Sequence, residues 1–384
     1  MSKHSKNQFT RREFITSALF FSIATKSFSQ RQEMKNSWDK FEMYEDKKTG
    51  AKIYRIVPGP SKNTTIYQTH PMWGEAGKHF YFMSDCSDGN MRLHCLDIMT
   101  KKIHPILEKD TGNFTLSWNT EHLYFFDGDS VFKQEHLENR LKIGSLPEEF
   151  GSVIGGIGID SDEKWLYCGT HRDNEEQYVL RRLKISDGTW EECACVTFRI
   201  GHVQPNPWNP DLVMFSWETG GDSPQRTWCW SEKTRIAEPF FAEQDELWVT
   251  HEVWWDKQHA LFTIWPYDEQ HKKLPHGVAE TGKKHGQKGI INLLAQYPAW
   301  HTHGSHNHKW VLGDDFNRNI WLISPKTKER RLLVSGNKGK NIKVHPHASF
   351  TPDSSGIVFN CSRFGYEEIH LVLLPKQFEA LPLP

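Results

Sequence analysis

The feature that most constrains the fold of this chain is a pattern that recurs seven times: a tight polar turn followed by a short apolar strand. It is clear in Gly77–Phe82 (GKHFYF) and in Glu163–Cys168 (EKWLYC). The seven copies end at Phe82, Phe125, Cys168, Phe215, Thr263, Gly313 and Phe359. Successive copies are therefore about 43 to 50 residues apart, a spacing typical of the four-stranded blades of a propeller.

This repeat predicts an all-β protein with a single seven-bladed β-propeller over residues 35–384. One blade cannot bury its own faces, so neighbouring blades must stack and the ring must close. The last repeat lacks a fourth strand, and Lys52–Val57, ahead of the first repeat, can supply it. We therefore expect this N-terminal strand to close the ring. The 16 Trp, 23 Phe and 10 Tyr suit a fold built from strands.

The first 30 residues have the pattern of an export signal. A basic start precedes Thr10–Ile15 (TRREFI), and the apolar run Ile15–Ala24 that follows is too short to span a bilayer. This order is typical of a twin-arginine signal and predicts a periplasmic protein. No cysteine lies near the expected cleavage region at Ser27–Gln30, so no lipid anchor is expected. The alternative is a disordered basic tail.

Charge and cysteine content exclude several classes of partner. A net charge of −1 gives no reason to expect nucleic acid or an acidic membrane surface. The seven cysteines contain no C-x-x-C pair, and we interpret them as buried small hydrophobic residues rather than as a disulfide framework. Nothing in the sequence indicates the oligomeric state.

The 21 histidines indicate a metal site, because they cluster in the last three repeats just before the polar turn. His345 and His347 are two residues apart, so on a strand both would face the same side. Imidazole is a common ligand of first-row divalent metals. Two surface histidines could produce the same pattern, but His301 and His303 in the preceding repeat offer a further ligand from a neighbouring blade.

Two more polar residues lie near the same end of their blades. His251 is at the start of the inner strand of repeat five, and Arg226 is on a strand of repeat four. Taken alone, His251 is as well explained by a satisfied polar residue beside aromatic rings, and Arg226 by a solvated strand arginine.

Four segments resemble motifs of the oligogalacturonate lyase family. They are Arg226–Trp228 (RTW), Thr250–Trp254 (THEVW), His301 followed by Gly313-Asp314, and His345–Asp353 (HPHASFTPD). That family comprises seven-bladed propellers that use a divalent metal, typically manganese. The motifs cover about residues 200–362, and the count of repeats extends the resemblance to the whole propeller.

The resemblance implies a role for each matched residue. His301, His345 and His347 would be metal ligands, His251 the general base and Arg226 a substrate-orienting residue. The family usually has a glutamine ligand three residues before the H-P-H pair, where this chain has Ile342. Asn341, His303 or water remain candidates for that coordination position.

Six further residues near the same ends of their blades are candidates for sugar contacts. They are His70, His171, Arg172, His202, Gln204 and Arg363. Only His202 lies in a segment that is also similar to the family, Gly201–Trp208.

The resemblance implies metal-dependent β-elimination of short oligogalacturonates, pectin fragments, to 4,5-unsaturated products. A lyase for another uronate polymer, such as ulvan or a rhamnogalacturonan fragment, is the first alternative. A non-catalytic TolB-like propeller that binds protein or sugar is the second. Removal of the metal should abolish turnover by an enzyme, but it need not abolish binding by a scaffold.

Overall fold

The computed structural model describes residues 38–384 except 75–76, 110–111, 139, 173–175, 220–222, 268–272, 283–290, 338 and 340–343. The predicted export signal and the positions Asn341 and Ile342 lie outside the described residues. Within the described part, no helix is long and apolar enough to cross a membrane.

The described part of the chain contains 30 strands in seven antiparallel sheets. Sheet 1 contains β3 (Asn63–Thr65), β4 (Trp73–Gly74), β5 (His79–Ser84), β6 (Arg92–Asp97) and β7 (Ile103–Pro105). Sheet 2 contains β8 (Phe114–Leu116), β9 (His122–Asp127), β10 (Ser130–Glu135) and β11 (Arg140–Ser145). Sheet 3 contains β12 (Ser152–Ile159), β13 (Trp165–His171), β14 (Tyr178–Lys184) and β15 (Trp190–Val196). Sheet 4 contains β16 (Ile200–Pro205), β17 (Leu212–Trp217), β18 (Thr227–Ser231) and β19 (Ile236–Pro239). Sheet 5 contains β20 (Leu247–Trp254), β21 (His259–Pro266), β22 (Gly277–Gly282) and β23 (Asn292–Gln296).

Sheets 6 and 7 complete the ring. They contain β24 (Ala299–Gly304), β25 (Val311–Asp315), β26 (Ile320–Ile323) and β27 (Arg330–Val334); and β28 (Ser349–Phe350), β29 (Gly356–Cys361) and β30 (Glu368–Leu373), with β2 (Lys52–Val57) and β1 (Glu42–Glu45). Three short 3-10 helices are present in the described residues, Trp38–Lys40, Glu148–Phe150 and Phe378–Ala380.

The seven repeats correspond to the seven sheets. Each of the seven repeat markers lies on the second strand of its own sheet, from Phe82 on β5 to Phe359 on β29. These strands are almost wholly buried, because each packs between the sheets on either side. The prediction of a seven-bladed, all-β propeller is confirmed.

The last sheet joins both ends of the described chain. Strand β2 pairs antiparallel with β30, so Lys52–Val57 lies in the same sheet as the final strand. An ion pair reinforces this seam: Arg55 Nε donates to Glu368 Oε2 over 3.0 Å, and Glu368 is buried. A charge-assisted contact of this kind resists the separation of the two strands.

Neighbouring blades are also connected by a carboxylate that recurs in the polar turns. Glu163, in the turn before β13, accepts hydrogen bonds from His122 Nδ1 (2.6 Å) and Tyr124 Oη (2.9 Å) of sheet 2. Glu121, in the turn before β9, bonds in the same way to His79 and Tyr81 of sheet 1. We call these two contacts the inter-blade latches.

The cysteines are unpaired, as predicted, but not all of them are buried. Cys95, Cys168, Cys229 and Cys361 are buried small hydrophobic residues, whereas Cys86 and Cys195 are exposed. The interpretation of all seven as core residues is therefore wrong for these two, which lie in the turn after β5 and on the outermost strand β15.

Candidate functional site

Bulges in the innermost strands determine where the histidines point. The pairing register shifts between Gly201 and Gln204 in β16, and between Thr250 and Val253 in β20. His202 and His251 lie inside these bulges with φ angles of +45° and +56°, in the left-handed region that residues other than glycine rarely adopt. Such strained backbone is concentrated at functional sites, because the surrounding structure must hold it in place.

Six side chains from five different sheets meet at this end of the innermost strands. Ring centres are separated by 4.1 Å for His301 and His347, 4.4 Å for His251 and His301, and 5.6 Å for His301 and His345. We call Tyr67, His202, His251, His301, His345 and His347 the funnel cluster. The structure thus brings together all four histidines for which the sequence predicted metal binding or base catalysis.

His301 is oriented by a carboxylate on the adjacent strand. Its Nδ1 lies 2.9 Å from Asp314 Oδ2, and its backbone N donates to Oδ1 of the same side chain. Both residues are buried. A histidine that donates one ring N–H to a carboxylate presents its other nitrogen in a defined direction, which is the usual arrangement around a metal-binding histidine. The sequence motif included Asp314, but no role for it was inferred.

His345 and His347 come together for a different reason from the predicted one. They lie in an irregular segment immediately before β28, so the alternation of a strand does not place them. His347 has a φ of +42°, and its Nδ1 lies 3.2 Å from Gln68 Oε1 of sheet 1. The two ring centres are 6.2 Å apart.

The funnel cluster has the donor set and the unpartnered atoms expected of a metal site. Among the described residues, Nδ1 of His345 and Nε2 of His251 are buried without a hydrogen-bond partner. Burial and the neighbouring His301 lower the pKa of His347 to about 3, so its ring is neutral near pH 7. Neutral imidazole is the form that binds metals. The ring centres of His301, His345 and His347 are 4.1 to 6.2 Å apart, but their ligand nitrogens do not all lie within 4.8 Å of one another, so a shared ion would require the rings to turn.

A second group of metal-type side chains lies on sheets 1 and 2. His79, Glu121 and His136 form the one set in the described residues whose ligand atoms all lie within 4.8 Å of one another. We call it the rim cluster. Its atoms bond to each other: His136 Nδ1 lies 2.8 Å from Tyr81 Oη, which donates to Glu121 over 2.9 Å. The rim cluster is therefore an extended version of an inter-blade latch.

Tyr67 positions His251, and sequence reasoning missed it. Tyr67 Oη lies 2.9 Å from His251 Nδ1, although the two residues are 184 positions apart. Burial, followed by the charge of His301, lowers the pKa of His251 well below its ordinary value. Tyr67 lies between β3 and β4, the two short strands at the inner edge of sheet 1, where His202 and His251 occupy bulges in their own innermost strands. That position was the available signal.

Arg226 is buried among three carboxylates. Its Nε donates to Glu252 Oε2 over 3.0 Å, Nη2 lies 3.4 Å from Glu218 Oε2, and its backbone N donates to Glu243. Burial alone would raise the pKa of Glu252, but Arg226 and a hydrogen bond from His202 outweigh it and hold that pKa well below its ordinary value. Glu252 therefore stays charged and holds Arg226, while Tyr67 holds His251.

The candidates for sugar contacts lie at different distances from the funnel cluster. His202 belongs to it, with its ring centre 5.5 Å from that of Tyr67. His70 Nε2 lies 3.0 Å from the carbonyl oxygen of Ile157, and His70 lines a cavity together with His303. Gln204 connects sheets 4 and 5, because its Nε2 donates to the Glu252 carbonyl and its own carbonyl accepts from Trp254.

The other three candidates lie on outer parts of the blades. His171, at the end of β13, stacks on Tyr178 with ring centres 4.1 Å apart, and Arg172 beside it is exposed. Arg363, in the turn after β29, donates to the Ser335 carbonyl and lies 3.6 Å from Asp46. The structure gives these three residues local contacts of their own.

His303, a candidate for the remaining metal ligand, lies on the other side of the cluster. Its ring contacts His306 and Phe350, and it lines a separate cavity of about 240 Å³ with Trp73, Trp118 and Trp208. That cavity lies at the end of the innermost strands away from the funnel cluster, because Trp118 follows β8 and Trp208 follows β16. The bulge between Ala299 and Thr302 places His301 and His303 in different environments.

Comparison with known proteins was made by sequence and by structure. No protein-family model matches this sequence, and no curated protein matches it. A solved oligogalacturonate lyase in complex with manganese superposes with a TM-score of 0.76 at 19% identity, over 88% of this chain and 96% of that one. An oligogalacturonate lyase from Vibrio parahaemolyticus gives 0.75 at 18% identity, over 88% and 97%. The fold is that of the oligogalacturonate lyases.

A structure of WD40 repeats is less similar. The RRP9 WD40 repeats superpose with a TM-score of 0.54 at 10% identity, over 87% of this chain and all of that one (100%). At these identities the likeness concerns the fold. The case for an activity rests on the funnel cluster.

Proposed function

We propose that this protein is a metal-dependent lyase that cleaves short oligogalacturonates by β-elimination. The observation that carries the proposal is a buried histidine, His251, whose Nε2 has no partner in the described chain and whose ring lies 4.4 Å from that of His301. A potential base beside a metal-type cluster is the arrangement that this reaction needs. The fold shared with two oligogalacturonate lyases supports the choice of substrate.

His301, His345 and His347 would hold a divalent metal, with Asp314 orienting His301. Manganese is the ion we propose, because the similar lyase structure is described as a manganese complex. A divalent ion bound to the C6 carboxylate of the substrate would offset the charge that develops when the neighbouring C5 loses its proton.

His251 is the proposed general base. With Nδ1–H donating to Tyr67, the lone pair of Nε2 is left to accept the C5 proton. The C4–C5 double bond then forms and the C4–O4 bond breaks. The departing O4 takes a proton from water, and the protonated His251 returns its own proton to the solvent. Burial favours the neutral imidazole that a base must be before it accepts a proton, and general-base catalysis contributes about 10²–10⁴-fold in typical enzymes.

Arg226 is the proposed substrate-orienting residue. Glu252 and Glu218 hold its guanidinium in place, and this group has five N–H donors, so these two contacts leave others for a sugar oxygen. His202, between Tyr67 and the two glutamates, is in position for a hydroxyl contact.

The deciding experiment is mass spectrometry of digalacturonate and trigalacturonate after incubation with manganese-loaded protein, beside a chelated control. We expect products whose masses add up to that of the substrate, and their loss under chelation. Products that contain an added water would indicate a hydrolase and would overturn the proposed reaction. Cleavage of ulvan or rhamnogalacturonan fragments alone would move the proposal to another uronate.

We also propose that residues 1–30 direct export to the periplasm by the twin-arginine route, on the strength of Arg11-Arg12 and the short apolar run that follows. Fusion of this segment to a reporter should export it, and replacement of both arginines by lysine should retain it in the cytoplasm. Equal export by both fusions would refute this signal.

A further inference from the structure

Arg318 is a buried arginine that has no acidic partner among the residues that the structure describes. It lies in the turn between β25 and β26, is only 8% exposed, and donates from Nη1 to the carbonyl oxygen of Phe316 over 3.0 Å. Its Nε is buried and has no hydrogen-bond partner in the described structure. The ion pairs found within 4.0 Å among the described residues include none with Arg318.

The other buried arginines show what is normal in this protein. Arg182, 2% exposed, pairs with Glu191 and Glu232, and Arg226, 4% exposed, pairs with Glu252 and Glu218. A buried charge without a partner is strongly unfavourable, so buried charges are almost always paired. Arg318 differs from both arginines in this respect, although it is buried to a similar extent.

The backbone also holds Arg318 in a costly conformation. Its φ is +66°, while its N donates to the Asp315 carbonyl and its own carbonyl accepts from Asn337 Nδ2 over 2.8 Å. Lys101, Arg235 and Lys328 have φ angles of +58° to +61° in three other turns between strands, so this conformation belongs to the turn, and the side chain of Arg318 is its unusual feature.

The turn that carries Arg318 lies at the funnel cluster. The ring of Phe316 contacts Trp300 (5.1 Å), and Trp300 contacts both His251 (4.7 Å) and His345 (6.2 Å). Burial lowers the pKa of His345, and the positive charge of Arg318 lowers it further. Arg318 has no acidic partner among the described residues, and an occupant of the funnel is in position to supply one.

Resting on the proposed function, we propose that Arg318 binds a carboxylate of the oligosaccharide and so selects uronates over neutral sugars. The planar guanidinium matches a carboxylate through two parallel N–H···O contacts. Arg226 is less suited to this task, because two glutamates already neutralise it. A substrate carboxylate would give Arg318 the ion pair that the other two buried arginines have within the chain.

This inference predicts opposite effects on stability and on binding. Arg318→Met removes an uncompensated buried charge, so the ligand-free variant should melt at the same temperature as the natural protein or higher. Binding of a uronate should weaken at the same time. An arginine that served only to hold the turn would show the reverse, with a lower melting temperature and unchanged binding.

The test compares Arg318→Met, Arg318→Lys and, as a matched control, Arg330→Met. Arg330 lies on the outer strand β27 of the same sheet, where it stacks on Tyr297 and Trp321. Calorimetry would measure binding of digalacturonate and of a neutral galactose disaccharide, and kinetics would separate KM from kcat. We expect a 10- to 100-fold rise in KM and Kd for Arg318→Met, a smaller rise for Arg318→Lys, and natural values for Arg330→Met.

Each outcome decides the inference. Any one of three results would overturn it. They are unchanged affinity for digalacturonate in Arg318→Met, equal affinity of the natural protein for the neutral disaccharide, and a clearly lower melting temperature of ligand-free Arg318→Met. If the natural protein binds digalacturonate through Arg318 without cleaving any oligogalacturonate, the role of Arg318 stands and the proposed lyase reaction fails.

Discussion

The funnel cluster and the rim cluster both gather histidines from different strands, but their nitrogen atoms are used differently. In the rim cluster, His79 and His136 have nearly parallel rings 4.3 Å apart, and both lie against Glu121 and Tyr81. In the funnel cluster, His251 and His345 each have a buried nitrogen without a partner in the described chain. The Nδ1 atoms of both rim histidines are bonded within the protein, whereas these two funnel nitrogens are not.

This difference shows that closeness of ligand atoms is a weaker sign of a ligand site than buried ligand atoms that have no hydrogen-bond partner. The rim atoms are close because hydrogen bonds hold them together. The related latch at Glu163 is built in the same way from one imidazole, that of His122, and three hydroxyls, those of Ser117, Thr120 and Tyr124. Buried polar atoms are normally bonded. The described residues also leave Trp73 Nε1, Trp230 Nε1 and Arg330 Nε without a partner away from the funnel, so the funnel is distinguished by holding two such histidine nitrogens together. The following predictions test this contrast.

The largest effect should come from His251. His251→Ala should reduce turnover by about 10²–10⁴-fold, because it removes the proposed base, while metal content and melting temperature change little. The measurement is the rate of unsaturated product formation beside elemental analysis of the same sample. Full activity in this variant would refute the assignment of the base.

Metal content should separate the two clusters directly. His347→Ala should lose most of the bound metal. Asp314→Asn should weaken metal affinity by about 10- to 100-fold, because the Nδ1–H of His301 loses the charged acceptor that orients the ring. His136→Ala serves as the matched control and should keep the metal of the natural protein. Loss of metal from His136→Ala, with retention in His347→Ala, would reverse the assignment of the two clusters.

A change in a latch should lower stability and leave metal content unchanged. Glu163→Gln should lower the free energy of unfolding by about 1–3 kcal/mol, because four donors lose a charged acceptor, and it should leave metal content unchanged. Denaturant titration of the metal-free protein gives this difference. A variant as stable as the natural protein would show that the latches are not structural.

The smallest effect is a change in the pH dependence of stability. The folded pKa of Glu163 is lower than its ordinary value of 4.5: burial opposes this, but its hydrogen bonds to Ser117, His122, Thr120 and Tyr124 outweigh it. The stabilisation that it provides is therefore complete above pH 4.5 and is lost as the pH falls below it. His70 is buried with a pKa lowered from 6.5 to about 4, so its protonation opposes folding as the pH falls from 6.5 to 4.

The two pH windows can be told apart with two variants in thermal melts. His70→Asn should flatten the loss of stability between pH 6.5 and 4, and Glu163→Gln should flatten the loss below pH 4.5. A natural protein whose stability does not change between pH 6.5 and 4 would contradict the buried, neutral state of His70.

Much of the fold was predictable because it depends on local pattern. The polar turn and the apolar strand after it are encoded within a few residues, and their seven copies required a closed ring. The gathering of His251, His301, His345 and His347 was also predictable, since each precedes the polar turn of its own repeat. Tyr67 shares that position but not the residue type, and it was therefore overlooked.

The sequence by itself determined the number of blades, the strands and the end of the propeller at which the histidines meet. Only the tertiary structure decided which atoms of these residues are satisfied. The contact between Tyr67 and His251 joins residues 184 positions apart, and that between Gln68 and His347 joins residues 279 apart. The left-handed bulge at His251 and the unpaired charge of Arg318 likewise depend on neighbours from other blades, because burial and hydrogen bonding are properties of the assembled ring.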